Sequence, residues 1–188
     1  NESIQQQLEE SLATLKENNI VLNNLSRSDG LTGILNRRGF YDTAEELLEK
    51  GRAQGKTVLV IYVDMNNLKI INDKYGHEEG DFSLKLIGEK LTEVMGECGV
   101  AGRIGGDEFV VILTGQIQQL ETLLREFDHC VEGWQGELID SMTISYGYVC
   151  SFEQRWDSMA DASKAADARM YEKKEQFYRE NGVKRRGE

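Results

Sequence analysis

The chain has 188 residues, room for one domain of ordinary size plus an extra element and too few for two full domains. Its 22 Lys plus Arg against 33 Asp plus Glu give a formal net charge of -11, which repels a polyanion and argues against a DNA- or RNA-binding surface as its main business. Hydrophobic residues at 39% and charged residues at 29% describe a globular protein, and three widely spaced cysteines with no Cys-x-x-Cys pair argue against a zinc knuckle or a disulfide scaffold.

That cysteine usage predicts buried thiols in a reducing cytoplasm, and no apolar run approaches the ~20 residues of a membrane span. The start at Asn1 leaves room for a longer, membrane-attached parent with a sensor domain upstream. Residues 1–26 are polar and free of Gly, with Ile4, Leu8, Leu15, Leu22 and Leu25 at 4- and 3-residue steps and Ser11 and Asn18 at the seam positions between. So narrow a stripe predicts a helix that pairs with its own copy, against the alternative of a surface helix folded back on the domain.

The turn cluster Ser28–Gly33 ends this helix, and a second is predicted from Arg37 to Gln54, stopped by Gly55. Thr57–Val63 is a continuous β-branched run, the mark of a strand covered on both faces, and Asp64 follows it directly. Next come a helical stretch at Asn66–Tyr75, a loop at Gly76–Gly80, and a helix capped by Asp81 that reaches Met95. Val100–Ile104 and Phe109–Leu113 read as strands of a hairpin joined by Gly105-Gly106-Asp107-Glu108. A helix at Gln118–Val131, a strand at Met142–Val149 and a helix at Ser158–Tyr178 complete an α/β (α+β) sandwich around a mixed sheet.

Three carboxylates carry the chemistry. An unpaired carboxylate at the end of a buried strand costs several kcal/mol, so Asp64 needs something to satisfy its charge. If the strand and the hairpin are neighbours, Asp64, Asp107 and Glu108 converge at one edge, where hard oxygen ligands suit Mg²⁺ and phosphoryl chemistry. The alternative is a plain turn with solvated acids. The amides of Met65 to Leu68 would open a helix and cradle phosphate, with Lys69 adding a point charge. Asn72 and Asp81 offer an amide and a carboxylate; a carboxylate that accepts from the ring N–H and exocyclic amine of guanine would reject adenine. Their alternatives are a surface amide and a helix cap. No P-loop is present, and Gly99-x-x-Gly102-x-x-Gly105 precedes a strand rather than a helix, so neither nucleotide motif applies.

Gly105-Gly106-Asp107-Glu108-Phe109 is the signature of the GGDEF family, the diguanylate cyclases. Asp29-Gly30-Leu31-Thr32-Gly33 through Arg38, Asp64 through Asp81, and Ala166-Asp167 with Met170 through Lys174 resemble that family in the same order. The likeness covers about residues 27–182, so that 1–26 is set apart as a signalling helix from a catalytic domain at 27–188. It implies a fold like the nucleotidyl-cyclase and polymerase palm, and condensation of two GTP into cyclic di-GMP and two pyrophosphates across a homodimer. By position it implies Mg²⁺ (with Mn²⁺ as a substitute) on Asp64, Asp107, Glu108 and the Met65 carbonyl, with Glu108 and Asp107 catalytic. Asn72 and Asp81 would read guanine, Lys69 and Lys174 would contact phosphates, and Asn67, Leu68, Gly105 and Gly106 would complete the substrate site.

The sequence departs from the family pattern at Asn66 (usually Asp), Leu68 (commonly Phe) and Tyr178 (often Arg). An inhibitory Arg-x-x-Asp is replaced by Gly96-Glu97-Cys98-Gly99, which implies loss of tight product binding there. The competing reading is a catalytically silent GTP-binding regulatory module.

Overall fold

The computed structural model describes residues 27–131, 133, 138–139 and 142–180, with 4–6, 11–12, 14–16, 18 and 22 before them. The domain runs β1 (Leu35–Asn36), α1 (Arg37–Ala53), β2 (Thr57–Met65), α2 (Leu68–Tyr75), α3 (His77–Met95), β3 (Gly99–Arg103), β4 (Glu108–Gly115), α4 (Ile117–Val131), β5 (Ile144–Cys150) and α5 (Met159–Glu180). The strands form one sheet in the order β1-β3-β4-β2-β5, parallel only between β1 and β3.

The β-branched run of β2 is buried because both faces of the sheet are covered. Val58, Val60 and Tyr62 alternate with Leu59, Ile61 and Val63, and the two sets enter different cores. The first set packs with Phe40, Leu48, Met159 and Ala166 under α1 and α5. The second packs with Ile87, Leu91, Phe109 and Phe127 under α3 and α4. At about 1.5–3 kcal/mol for each fully buried large aliphatic or aromatic side chain, the two cores make the sheet the rigid part of the molecule.

One close approach sets the position of α5. A methyl group at Gly147 of β5 would lie 2.2 Å from the Met170 amide nitrogen and 2.5 Å from the Ala166 carbonyl oxygen. Glycine therefore lets the helix backbone rest directly on the strand.

The sheet and helix order follow the sequence-based expectation, with three corrections. The two-residue β1 was missed, being too short to show a period. Asp64 lies inside β2, which continues to Met65. Gly76–Gly80 is not a loop: α3 begins at His77 behind Gly76 (φ 93), and Asp81 is an exposed residue within the helix rather than its cap. Glu78 and Glu79 occupy the first turn, where the helix dipole favours them. Glu79 is buried and accepts from the Leu138 amide at 2.9 Å. The described residues between 4 and 22 are helical, with Ile4, Leu15 and Leu22 exposed, while Leu8 and Leu25 of the predicted seam lie outside the described residues.

Candidate active site

The antiparallel register places Asp64 of β2 directly opposite Glu108 of β4. The Met65 amide donates to the Asp107 carbonyl at 2.9 Å, so the hairpin tip is tied to the end of β2. Arg103 braces the tip from below: Nε and Nη2 donate to the Gly106 carbonyl at 3.2 and 2.7 Å. Its Nη1 meets Asp29 at 3.1 Å, joining the turn before β1 to the hairpin. Burial alone would raise the Asp29 pKa, but hydrogen bonds from Thr32 and the Arg103 guanidinium hold it below the ordinary carboxylate value. Gly105 of the signature leaves space: a methyl there would sit 2.2 Å from Oε2 of Glu108.

Beside this corner is a cavity of about 600 Å³. Asp64, Met65, Asp107 and Glu108 line it from the sheet, and Asn67, Leu68, Lys69 and Ile70 from the start of α2. One stripe of α5 (Asp167, Met170, Tyr171, Lys174 and Tyr178) closes the opposite side. Asp64 is 6% exposed and paired with the Lys174 ammonium. Burial is the main cause that raises its pKa to about 6; Lys174 opposes the rise, and the neighbouring Asp107 and Glu108 add to it. Glu108 accepts from the Tyr62 hydroxyl at 3.2 Å, and burial, then the Glu108 charge, pushes the Tyr62 pKa upward.

The three acids share one cavity and act on each other electrostatically. Among the described residues, however, no three His, Cys, Asp or Glu side chains are close enough to form a ready-made metal cage. Lys174 draws Asp64 toward α5 while Tyr62 holds Glu108, so an ion would have to draw the acids together. The donor set still fits a hard divalent cation, because it is all oxygen and its buried member already has a cation against it.

The phosphate cradle is displaced from its predicted place. The Met65 amide is used by Asp107 and the Asn66 amide donates to Thr143 at 2.9 Å, so neither is free. Asn67 adopts the left-handed conformation (φ 61, ψ 19), unusual for a residue other than glycine, and reverses the chain into α2. The first helical bond runs from the Ile71 amide to the Asn67 carbonyl, which leaves Leu68, Lys69 and Ile70 as the amides at the helix start. Asn66, 1% exposed, accepts from the Ser145 hydroxyl at 2.9 Å and lies outside the cavity lining.

Four predicted residues are not in the lining: Asn72, Asp81, Gly105 and Gly106. Asp81 is exposed, and the Asn72 side-chain oxygen is buried without a partner, pressed against Gly80. Sequence reasoning missed Ile70, Met170, Tyr171 and any role for Asp167. The last two could have been found, since 167, 171, 174 and 178 recur at helical spacing. Tyr178 lines the cavity, whereas Arg179 is exposed outside the lining and donates back to the Glu175 carbonyl at 3.4 Å.

The mixed sheet, with its acidic corner where β2 meets the hairpin, defines a palm-like α+β domain. The chain belongs to the family described as "Diguanylate cyclase, GGDEF domain", whose sequence model matches residues 26–179. It is 33% identical over 155 residues to the "Probable diguanylate cyclase DgcJ" of Escherichia coli, covering 81% of this chain and 31% of that protein. It is 38% identical over 91 residues to the "Cyclic di-GMP phosphodiesterase NbdA" of Pseudomonas aeruginosa, covering 48% of this chain and 12% of that protein. Among solved structures it resembles the diguanylate cyclase SiaD of Pseudomonas aeruginosa, crystallised with its activator SiaC. That likeness has a TM-score of 0.72 and 25% identity, over 93% of this chain and 68% of the other. The chain thus spans about a third or less of the two curated relatives.

Proposed function

We propose that this domain is a diguanylate cyclase, condensing two GTP into cyclic di-GMP and two pyrophosphates. The observation that carries the reading is the register that sets Asp64 opposite Glu108, with Asp107 beside them, in a cavity that also bears Lys69 and Lys174. Asp64, Asp107, Glu108 and the Met65 carbonyl would hold Mg²⁺ (or Mn²⁺), which when bound neutralises phosphate charge and makes a hydroxyl easier to deprotonate. Glu108 would accept the proton of the attacking 3′-hydroxyl; that Tyr62 engages Oε1 while Oε2 lies beside Gly105 supports this role. The bond formed joins that oxygen to the α-phosphorus of the other GTP, and pyrophosphate leaves.

Lys69, Lys174 and the amides from Leu68 to Ile70 take the phosphates. Asn72 and Asp81 would read the guanine edge from outside the cavity lining, and the buried, unpartnered Asn72 oxygen is the feature that supports a polar ligand there. With one acidic corner among the described residues to hold one GTP for reaction, joining two GTP calls for a homodimer. The exposed Ile4, Leu15 and Leu22 support residues 1–26 as the helix that pairs two copies of the 27–188 domain.

Incubation with GTP and Mg²⁺, followed by mass identification of the nucleotides, tests the reading: cyclic di-GMP is expected from the wild type and none from Glu108→Gln. A dimer that binds GTP with Mg²⁺ and releases no pyrophosphate would instead establish a silent GTP-binding regulatory module. The likeness to a stretch of NbdA, a protein named as a phosphodiesterase, gives that second reading its support.

A further inference from the structure

A second cavity, of about 380 Å³, opens on the far side of Asp167 from the first, where α1 and the first half of α5 cross the edge of the sheet. Arg37 and Lys164 lie on its wall, both exposed and neither in an ion pair among the described residues. In a chain with a net charge of -11, two unpaired cations facing one hollow are a concentrated positive site. Tyr41 and Tyr62 bring aromatic rings to the same cavity, with the Arg37 guanidinium 6.0 Å from the Tyr41 ring centroid. Ser163 is 2% exposed, and its hydroxyl has no hydrogen-bond partner although it is buried at the cavity. An unsatisfied buried hydroxyl is a cost that a polar ligand would remove.

These groups match the parts of a nucleotide. Two cations suit a phosphate, tyrosine rings suit a base, and the Asp167 carboxylate can accept from the hydroxyls of a ribose. Asp167 would repel a phosphate placed against it, so the phosphate belongs at the Arg37–Lys164 side and the sugar at the other. The volume falls in the range of small-molecule sites. The cavity also touches the chemistry next door, because Tyr62 donates to Glu108 and Asp167 lines both hollows.

We propose that this second cavity is a nucleotide subsite, with Arg37 and Lys164 on the phosphate, Ser163 donating into the site and Asp167 on the ribose. Two sources share that chemistry: a free nucleotide, or the GTP carried by an opposing copy of this chain. Only the second source rests on the cyclase reading.

The test is methyl NMR of the whole chain labelled at isoleucine, since Ile104 lines only the second of these two cavities and Ile70 only the first. The probe is a GTP analogue with a methylene between the α- and β-phosphorus, added with Mg²⁺. Both methyls are expected to shift, and Arg37→Gln with Lys164→Gln together should weaken the Ile104 response at least tenfold while Ile70 still saturates. A response of Ile104 in dilute, monomeric protein identifies free nucleotide, and a response confined to dimeric protein identifies the opposing GTP. An Ile104 signal that stays still while Ile70 saturates, or one that moves equally in the double variant, overturns the proposal. Failure of the cyclase reading would show separately, as absence of cyclic di-GMP.

Discussion

Replacing Asp64 by Asn should make the metal-free protein more stable, and by an amount that depends on pH. Asp64 is 6% exposed and ionises near pH 6 in the fold, against 3.8 without it. Because the folded value lies above the unfolded one, the fold binds this proton more tightly than the open chain does. The resulting destabilisation is absent below pH 3.8, grows as pH rises, and is complete above pH 6. At 1.36 kcal/mol for each pH unit between the two values, it amounts to about 3 kcal/mol at pH 7.5. At pH 5 most of the folded molecules are protonated at Asp64 and about half of that cost is gone. Urea unfolding in EDTA should therefore show Asp64→Asn more stable than wild type by on the order of 3 kcal/mol at pH 7.5, and by about half that margin at pH 5. Adding Mg²⁺ should stabilise the wild type, by about 1.4 kcal/mol at ten times its Kd, and leave the variant unmoved. A stability difference that ignores pH, or a wild type more stable than Asp64→Asn at pH 7.5, would refute the claim that this carboxylate is held in place at a cost for the sake of a cation.

Gly147→Ala should push α5 off β5, costing on the order of 2 kcal/mol by urea unfolding and raising the KM for GTP, since Lys174 arrives on that helix. Unchanged stability would mean that the helix yields freely. Gly80→Ala would place a methyl 1.9 Å from the Asn72 side-chain oxygen, so KM for GTP should rise about tenfold with kcat little changed; an unaltered KM would remove Asn72 from guanine recognition. Cyclic di-GMP should inhibit weakly, because Gly96–Cys98 is a 3₁₀ turn with no arginine to clasp it, and submicromolar inhibition would point to another site. Deleting residues 1–26 should make specific activity fall more steeply on dilution, whereas an unchanged dependence would deny that helix a pairing role.

The sequence was most legible where one physical requirement dominates a stretch. Thr57–Val63 reads as a strand covered on both faces, and the acid that follows it could be singled out because burial makes a charge expensive. Register was not legible in the same way. That Asp64 faces Glu108 follows from β2 and β4 being neighbours, a pairing set by two cores whose residues are scattered from Phe40 to Met170. The loop predicted at Gly76–Gly80 failed because glycine was read as a breaker, whereas Gly80 is in a helix to make room for Asn72. The cradle at Met65 to Leu68 lost its first two amides for a related reason. No local pattern shows that Asp107 and Thr143, distant in sequence, take the first two amides. Asp81, which the resemblance assigns to guanine, sits on α3 away from the cavity lining, so its role depends on how the base extends beyond it.

If this acidic domain takes a triphosphate as proposed, two of the four cations assigned to phosphate, Lys164 and Lys174, lie along one helix, with Arg37 and Lys69 on two others. From its start, α5 carries Lys164 to the second cavity, Asp167 between the two, and Lys174 to Asp64 in the first. Ten residues of helix separate the two lysines, a rise of about 15 Å, comparable with the reach of a nucleoside triphosphate. The helix can serve as that ruler only if its height above the sheet is constant, and Gly147 sets that height by direct backbone contact. The same contact bears on why the acids are not pre-gathered. With α5 held there, Lys174 pairs with Asp64; on the proposed function, phosphate would compete for Lys174 and a cation for Asp64, which would couple substrate entry to the assembly of the acidic corner.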